Sequence, residues 1–168
     1  LGTRPGDIRR LIEHELGEGV FPGPLALNVL PMVGRLAEDG WTSEEVKVRD
    51  ETRRILGLPH LKVSASCVRV PVLSSHSVDI HARFARRVDV AKARQALVES
   101  PMVVVLDDLE HGEFPTPTDV VGADPRFAGR IRQSSDCPNT LDLFVSGDNL
   151  RKGAALNAVQ IAECLVNR

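Results

Sequence analysis

Ser77-Val-Asp-Ile-His-Ala-Arg-Phe84 (SVDIHARF) alternates without a break: Val78, Ile80, Ala82 and Phe84 are apolar, Ser77, Asp79, His81 and Arg83 polar. A period of two belongs to a strand with one face in a core and the other toward water. The alternation returns in TLDLFVSG, Thr140 to Gly147. Between these two strands lie the helix VAKARQALVES, which Asp89 can cap, and the apolar strand MVVVLDD from Met102 to Asp108. The stretch from Glu113 to Pro138 is rich in Pro, Thr and Asp and is expected to mix loops with one short strand. After Gly147, Asp148 or Asn149 opens a last helix, LRKGAALNAVQIAECLV.

Toward the N-terminus, LKVSASCVRVPV (Leu61 to Val72) has the composition of a strand. TSEEVKVRDETRRIL (Thr42 to Leu56) is a helix: Thr42 and Glu45 have capping-box spacing, and Gly57 stands where a helix stops. LALNVLPMVG (Leu25 to Gly34) fits a short buried strand, GEGVFPGP before it a loop, and GDIRRLIEHEL a first helix capped by Asp7. This order of elements predicts one α+β domain over residues 1–168, a mixed or antiparallel sheet with helices packed on one face. Two apolar-faced stretches, LKVSASCVRVPV and MVVVLDD, suit a sheet covered on both sides.

Composition narrows the partners. With 168 residues, net charge −2, 4% aromatic residues and no Tyr, nothing favours nucleic acid or an anionic membrane. No apolar run approaches the ~18 residues of a membrane-spanning helix, and no signal peptide opens the chain. Three unevenly spaced cysteines, Cys67, Cys137 and Cys164, argue for a reducing, cytoplasmic setting and against a disulfide framework. The chain starts at Leu1 rather than Met, which suits a fragment or processed piece.

CVRVPVLSSH, Cys67 to His76, puts a thiol, a guanidinium and an imidazole within ten residues. A catalytic thiol needs a helix N-terminus or a base nearby to lower its pKa. Cys67 lies mid-strand between Ser66 and Val68, where a free cysteine packs as a small apolar side chain. Arg69 is a cation in an apolar strand, so it is either ion-paired within the fold or turned to a cleft, where its fork suits a carboxylate. His76 follows Ser-Ser at a strand end: an ordinary turn residue, or a group presented for proton transfer. Glu44 and Lys47, one helical turn apart, form either a solvated ion pair or the two halves of a site for a zwitterionic or phosphorylated ligand. The histidines lack the spacing and cysteine company of a zinc site, so no metal is expected, and no Gly-rich dinucleotide turn is present.

Two segments carry a resemblance. ETRRILGLPHLKVSASCVRVPVLSSHS (Glu51 to Ser77) and SGDNLRKGAALNAVQIAE (Ser146 to Glu163) closely resemble the C-terminal half of aspartate-β-semialdehyde dehydrogenases, with LNVLPMVG and EEVK in the expected order before them. The matching segments cover roughly residues 25–84 and 140–166. The family reduces aspartyl phosphate to aspartate semialdehyde with NADPH and releases phosphate, on the route to lysine, threonine, methionine and diaminopimelate. Its C-terminal domain resembles that of glyceraldehyde-3-phosphate dehydrogenase and builds a homodimer, or a higher homo-oligomer, through the outer face of its sheet.

The resemblance implies roles by position. Arg69 holds the substrate α-carboxylate, Glu44 meets its amino group, Lys47 serves the phosphate, and His76 is the general acid–base for a thiol-bound intermediate. Asn149, Lys152 and Gly153 contact the nicotinamide half of NADP, and the helix in 146–166 returns to the NADP-binding domain. The family's nucleophilic cysteine stands in a Ser-Asn-Cys segment that this sequence lacks, as it lacks the dinucleotide-binding glycines. The expectation is a substrate-binding and dimerisation domain, inactive alone. Two alternatives remain: a non-catalytic homologue kept as a dimerisation or interaction module, and a reductase of N-acetylglutamyl phosphate. The latter's acetylated amine has no use for an acid like Glu44.

Overall fold

The computed structural model describes Arg10 and residues 21–166, in two compact units, Leu1–Pro71 and Val72–Arg168. The expected first helix, GDIRRLIEHEL, lies outside the described residues except for Arg10.

In the first unit, α1 spans Ser43–Leu56. Its capping box is formed: the Glu45 amide donates to Thr42 Oγ1 (3.4 Å) and the Thr42 amide donates to Glu45 Oε2 (2.8 Å). Gly57 ends the helix in the left-handed region at φ +65°, where a residue without Cβ is unstrained. Two expected strands are not formed. Within LALNVLPMVG and LKVSASCVRVPV a single antiparallel bridge joins Leu30 to Arg69, with reciprocal amide–carbonyl bonds of 2.9 and 3.0 Å. The first stretch is diverted by a local turn, in which Asn28 Nδ2 donates to the Pro24 carbonyl and Pro31 offers no amide. The second keeps a strand's period without a ladder. Leu61, Val63, Ala65, Cys67 and Arg69 are half-buried, and the residues between them are exposed.

The second unit holds a four-stranded mixed sheet: β1 (His76–Arg83), β2 (Val103–Val105), β3 (Arg126–Arg132) and β4 (Thr140–Gly147), in the order β1-β4-β3-β2. β4 runs antiparallel to both β1 and β3, and β2 is parallel to β3. Helix α2 (Val90–Glu99) is capped by Asp89, whose carboxylate accepts from the Ala91 and Lys92 amides. α2 packs on one sheet face, where Val90, Ala93 and Leu97 meet Ile80, Ile131, Leu141, Leu143 and Val145. The core-facing set of SVDIHARF is thus confirmed at Ile80, whereas Phe84, just past the end of β1, is 46% exposed.

Two further expectations are corrected here, for MVVVLDD and for the last helix. MVVVLDD forms only the three-residue β2, because Met102 turns at φ +63° just before it. Asp107 leaves the strand to pin a bulge in β3: its carboxylate accepts from the Arg130 and Ile131 amides and pairs with Arg94. The Glu113 to Pro138 stretch contains, besides the one-turn α3 (Pro117–Val120), a seven-residue strand, β3, in the interior of the sheet. The last helix is not continuous: a π-type turn over Arg151–Ala155 precedes α4 (Leu156–Val166), none of whose residues is buried.

Candidate active site

The first unit brings Glu44, Lys47, Cys67 and Arg69 into one neighbourhood. The first turn of α1 carries Glu44 and Lys47 on one face, with Lys47 Nζ donating to Glu44 Oε1 at 3.2 Å and both side chains substantially exposed. That bond, then the charges of Glu44 and Glu51, hold the Lys47 ammonium above its ordinary pKa. The other carboxylate of this turn, Glu45, reaches across to the extended segment, where its Oε1 accepts from the Cys67 amide at 3.0 Å. This bond and the one from the Thr42 amide pull Glu45 below the ordinary carboxylate range.

Cys67 is thereby fixed beside two acids. Burial first, then the charges of Glu45 and Glu44, push its thiol up, opposed by Lys47. An activated nucleophile needs the opposite direction, so the geometry agrees with a packing role. Arg69, two residues on and also half-buried, lays its guanidinium over the Phe21 ring at 4.7 Å from the centroid. Among the described residues no carboxylate pairs with Arg69, so its hydrogen-bonding fork is not spent on a structural ion pair there.

The second unit gathers His76, Asn149, Lys152 and Gly153 around the end of β4. His76 opens β1 in register with Gly147, and its carbonyl accepts from Ser146 Oγ at 3.4 Å. The preceding Ser75 turns at φ +81°. Asn149 Oδ1 accepts from both the Ser75 amide (3.1 Å) and Ser74 Oγ (3.2 Å). Lys152 Nζ donates to Asn157 Oδ1 (3.0 Å) and Gln160 Oε1 (2.5 Å), both neutral, and has no ion partner among the described residues. A Cβ on Gly153 would come within 3.0 Å of Arg126 Nη2.

Arg126, which the sequence did not single out, lies against both Gly147 and Gly153 and donates to the Asp148 carbonyl at 2.8 Å. Burial lowers its guanidinium from the ordinary arginine value, with Asp148 opposing. The Asp148 carboxylate accepts from the Gly122 (2.8 Å) and Leu150 (2.7 Å) amides, and these two bonds hold it below the ordinary range. Neither Arg126 nor the Asn149–Ser75 bond leaves a local signal, because the partners stand far apart in the chain. Among the described residues no cluster of His, Cys, Asp and Glu could hold a metal ion, and no helix is long and apolar enough to cross a membrane.

The family profile described as semialdehyde dehydrogenase, dimerisation domain, matches residues 9–152. Aspartate-semialdehyde dehydrogenase of Streptomyces akiyoshiensis is 52% identical over 147 residues, 86% of this chain and 42% of that protein. Among solved structures, aspartate semialdehyde dehydrogenase II of Vibrio cholerae complexed with ASA superposes with a TM-score of 0.84 at 34% identity, over 89% of this chain and 44% of that one. The Candida albicans enzyme with NADP gives 0.60 at 26% identity, over 75% and 40%. The chain spans less than half the length of these relatives. It folds as their C-terminal region does, with the mixed sheet and the single helical layer expected of a glyceraldehyde-3-phosphate dehydrogenase-like domain. On profile, sequence and fold together, the chain belongs to the semialdehyde dehydrogenase dimerisation-domain family.

Proposed function

We propose that this chain is the substrate-binding and dimerisation part of an NADP-dependent aspartate-semialdehyde dehydrogenase, a cytoplasmic enzyme of lysine, threonine and methionine biosynthesis. The observation that carries the proposal is the charge set of the first unit: an acid, an ammonium and a guanidinium without an ion partner among the described residues, grouped around one extended segment. Aspartyl phosphate has three matching charges. Its α-carboxylate suits the planar fork of Arg69, its ammonium suits Glu44, and its phosphate suits Lys47. The Glu44–Lys47 pair is exposed and weak, so exchanging it for two ligand contacts costs little.

His76, at the mouth of β1, gives and takes the proton at the sulfur and oxygen of the thiol-bound intermediate. The thiol itself belongs to a cysteine outside this chain, since the setting of Cys67 favours the protonated form. NADP supplies the hydride. Among the described residues Asn149 Nδ2 has no partner and Lys152 meets two neutral amides and no acid, which suits an amide-bearing, anionic dinucleotide. The rest of that cofactor would be held by protein outside this chain.

The test joins residues 1–168 to the N-terminal portion of the Streptomyces akiyoshiensis enzyme that the chain does not match. With aspartate semialdehyde, phosphate and NADP, the hybrid is expected to form NADPH, and the 168-residue chain alone to form none. A folded but inactive hybrid would count against the proposed reaction, and turnover by the chain alone against the division of labour.

A further inference from the structure

We infer that Asn149 is a positioning residue for His76: its side-chain oxygen holds the Ser74–Ser75 turn that presents the imidazole. The inference rests on the acid–base role given to His76 above. Ser75 occupies the left-handed region at φ +81°, a conformation that is strained for a serine and persists only where the surroundings enforce it. The Ser75 hydroxyl does not enforce it, because Ser75 Oγ is buried without a partner among the described residues.

Asn149 does. Both lone pairs of its Oδ1 are occupied, one by the Ser75 amide and one by Ser74 Oγ, across 74 and 75 residues of sequence. The asparagine is itself anchored. The Asp148 carboxylate is tied to Gly122 and Leu150, and the Asp148 carbonyl accepts from Arg126 (2.8 Å) and from the Gly153 amide (3.3 Å). Downstream of the turn, the Ser77 and Ser146 hydroxyls bond at 2.9 Å, so His76 is clamped on both sides. The other end of the amide, Nδ2, has no partner among the described residues. One side chain therefore fixes the imidazole through its oxygen and keeps a donor for a ligand.

The two ends of the amide can be separated by substitution. Asn149→Asp keeps the accepting oxygen and loses the donor, whereas Asn149→Ala loses both. In the ligand-free 168-residue chain, Asn149→Ala is expected to speed hydrogen exchange at the Ser75 amide about tenfold and to move the His76 ring NMR signals. Asn149→Asp is expected to keep the Ser75 protection. Ser74→Ala, which removes one of the two bonds, should give a smaller change in the same direction, and decides the matter if Asn149→Ala does not fold. In the hybrid enzyme, Asn149→Ala is expected to lower kcat about 10- to 100-fold with KM for aspartate semialdehyde nearly unchanged, and Asn149→Asp to recover much of kcat at saturating NADP while raising KM for NADP. Unaltered Ser75 exchange and His76 signals in the Ala and Ser74 variants would overturn the inference, as would Asp behaving like Ala. An inactive wild-type hybrid would sink the enzymatic reading while leaving the exchange experiment to decide this one.

Discussion

At the scale of single residues, Cys67 and Arg69 show how one segment separates two kinds of side chain. Both are half-buried on the same side of an extended stretch, yet their surroundings oppose each other. The thiol lies near two carboxylates and is held protonated, while the guanidinium rests on an aromatic ring with its donors unclaimed by any described acid. In the hybrid enzyme Cys67→Ala should therefore leave kcat/KM within about twofold, the loss of a small half-buried group with no part in the proposed reaction. Arg69→Lys keeps the charge but loses the bidentate fork, and should lower kcat/KM by about 10- to 100-fold, mostly through KM. Steady-state kinetics with aspartate semialdehyde decide both, and equal effects of the two substitutions would remove Arg69 from the site. The sequence pattern already separated these two residues, because a cation in an apolar run needs a reason and a cysteine there does not.

At the scale of elements, the turn from β4 into Arg151–Ala155 is held by one carboxylate. Asp148 accepts the Gly122 and Leu150 amides, which places its folded pKa below the ordinary 3.8. A depressed acid contributes stability that is fully present above the unfolded value and disappears as pH falls through the folded one. The melting temperature should thus stay flat above about pH 5 and drop below about pH 4. Asp148→Asn should melt lower at pH 7 and lose less on acidification, as followed by circular dichroism from pH 7 to pH 2.5. An acid slope in Asp148→Asn equal to that of the parent chain would assign the effect to other carboxylates.

Elements specified by neighbouring residues were legible in the sequence. They include the Thr42–Glu45 capping box, the Gly57 stop, the Asp89 cap and the Thr140–Gly147 alternation. Elements that depend on a distant partner were not. The valines of Leu61 to Val72 have every local mark of a strand, but no neighbouring strand supplies a ladder beyond the Leu30–Arg69 bridge. The approach to the π-type turn was hidden for the same reason, since Arg126 and Gly122 hold Asp148 just before it from elsewhere in the chain.

At the scale of the whole molecule, the sheet of the second unit has one face covered by α2 and a second face of different character. Along β1 and β4 that second face carries the pairs Ser77–Ser146, Asp79–Phe144, His81–Asp142 and Arg83–Thr140, with Phe127 of β3 opposite Ser146. Two half-buried phenylalanines in a polar surround have the make-up of an interface centre with its rim, and the family to which the chain belongs is described as a dimerisation domain. The face proposed for a second copy of the chain is therefore this one. Phe144→Lys places an ammonium opposite Asp79, which the monomer tolerates, but buries an unpaired charge at the centre of a two-fold contact. Sedimentation equilibrium should show the parent chain dimeric and the variant at least tenfold weaker in self-association, the range expected of a central aromatic anchor. Leu109→Lys, at an exposed apolar residue outside the sheet, should leave the dimer intact. Unchanged association of Phe144→Lys beside a weakened Leu109→Lys would move the interface off the sheet.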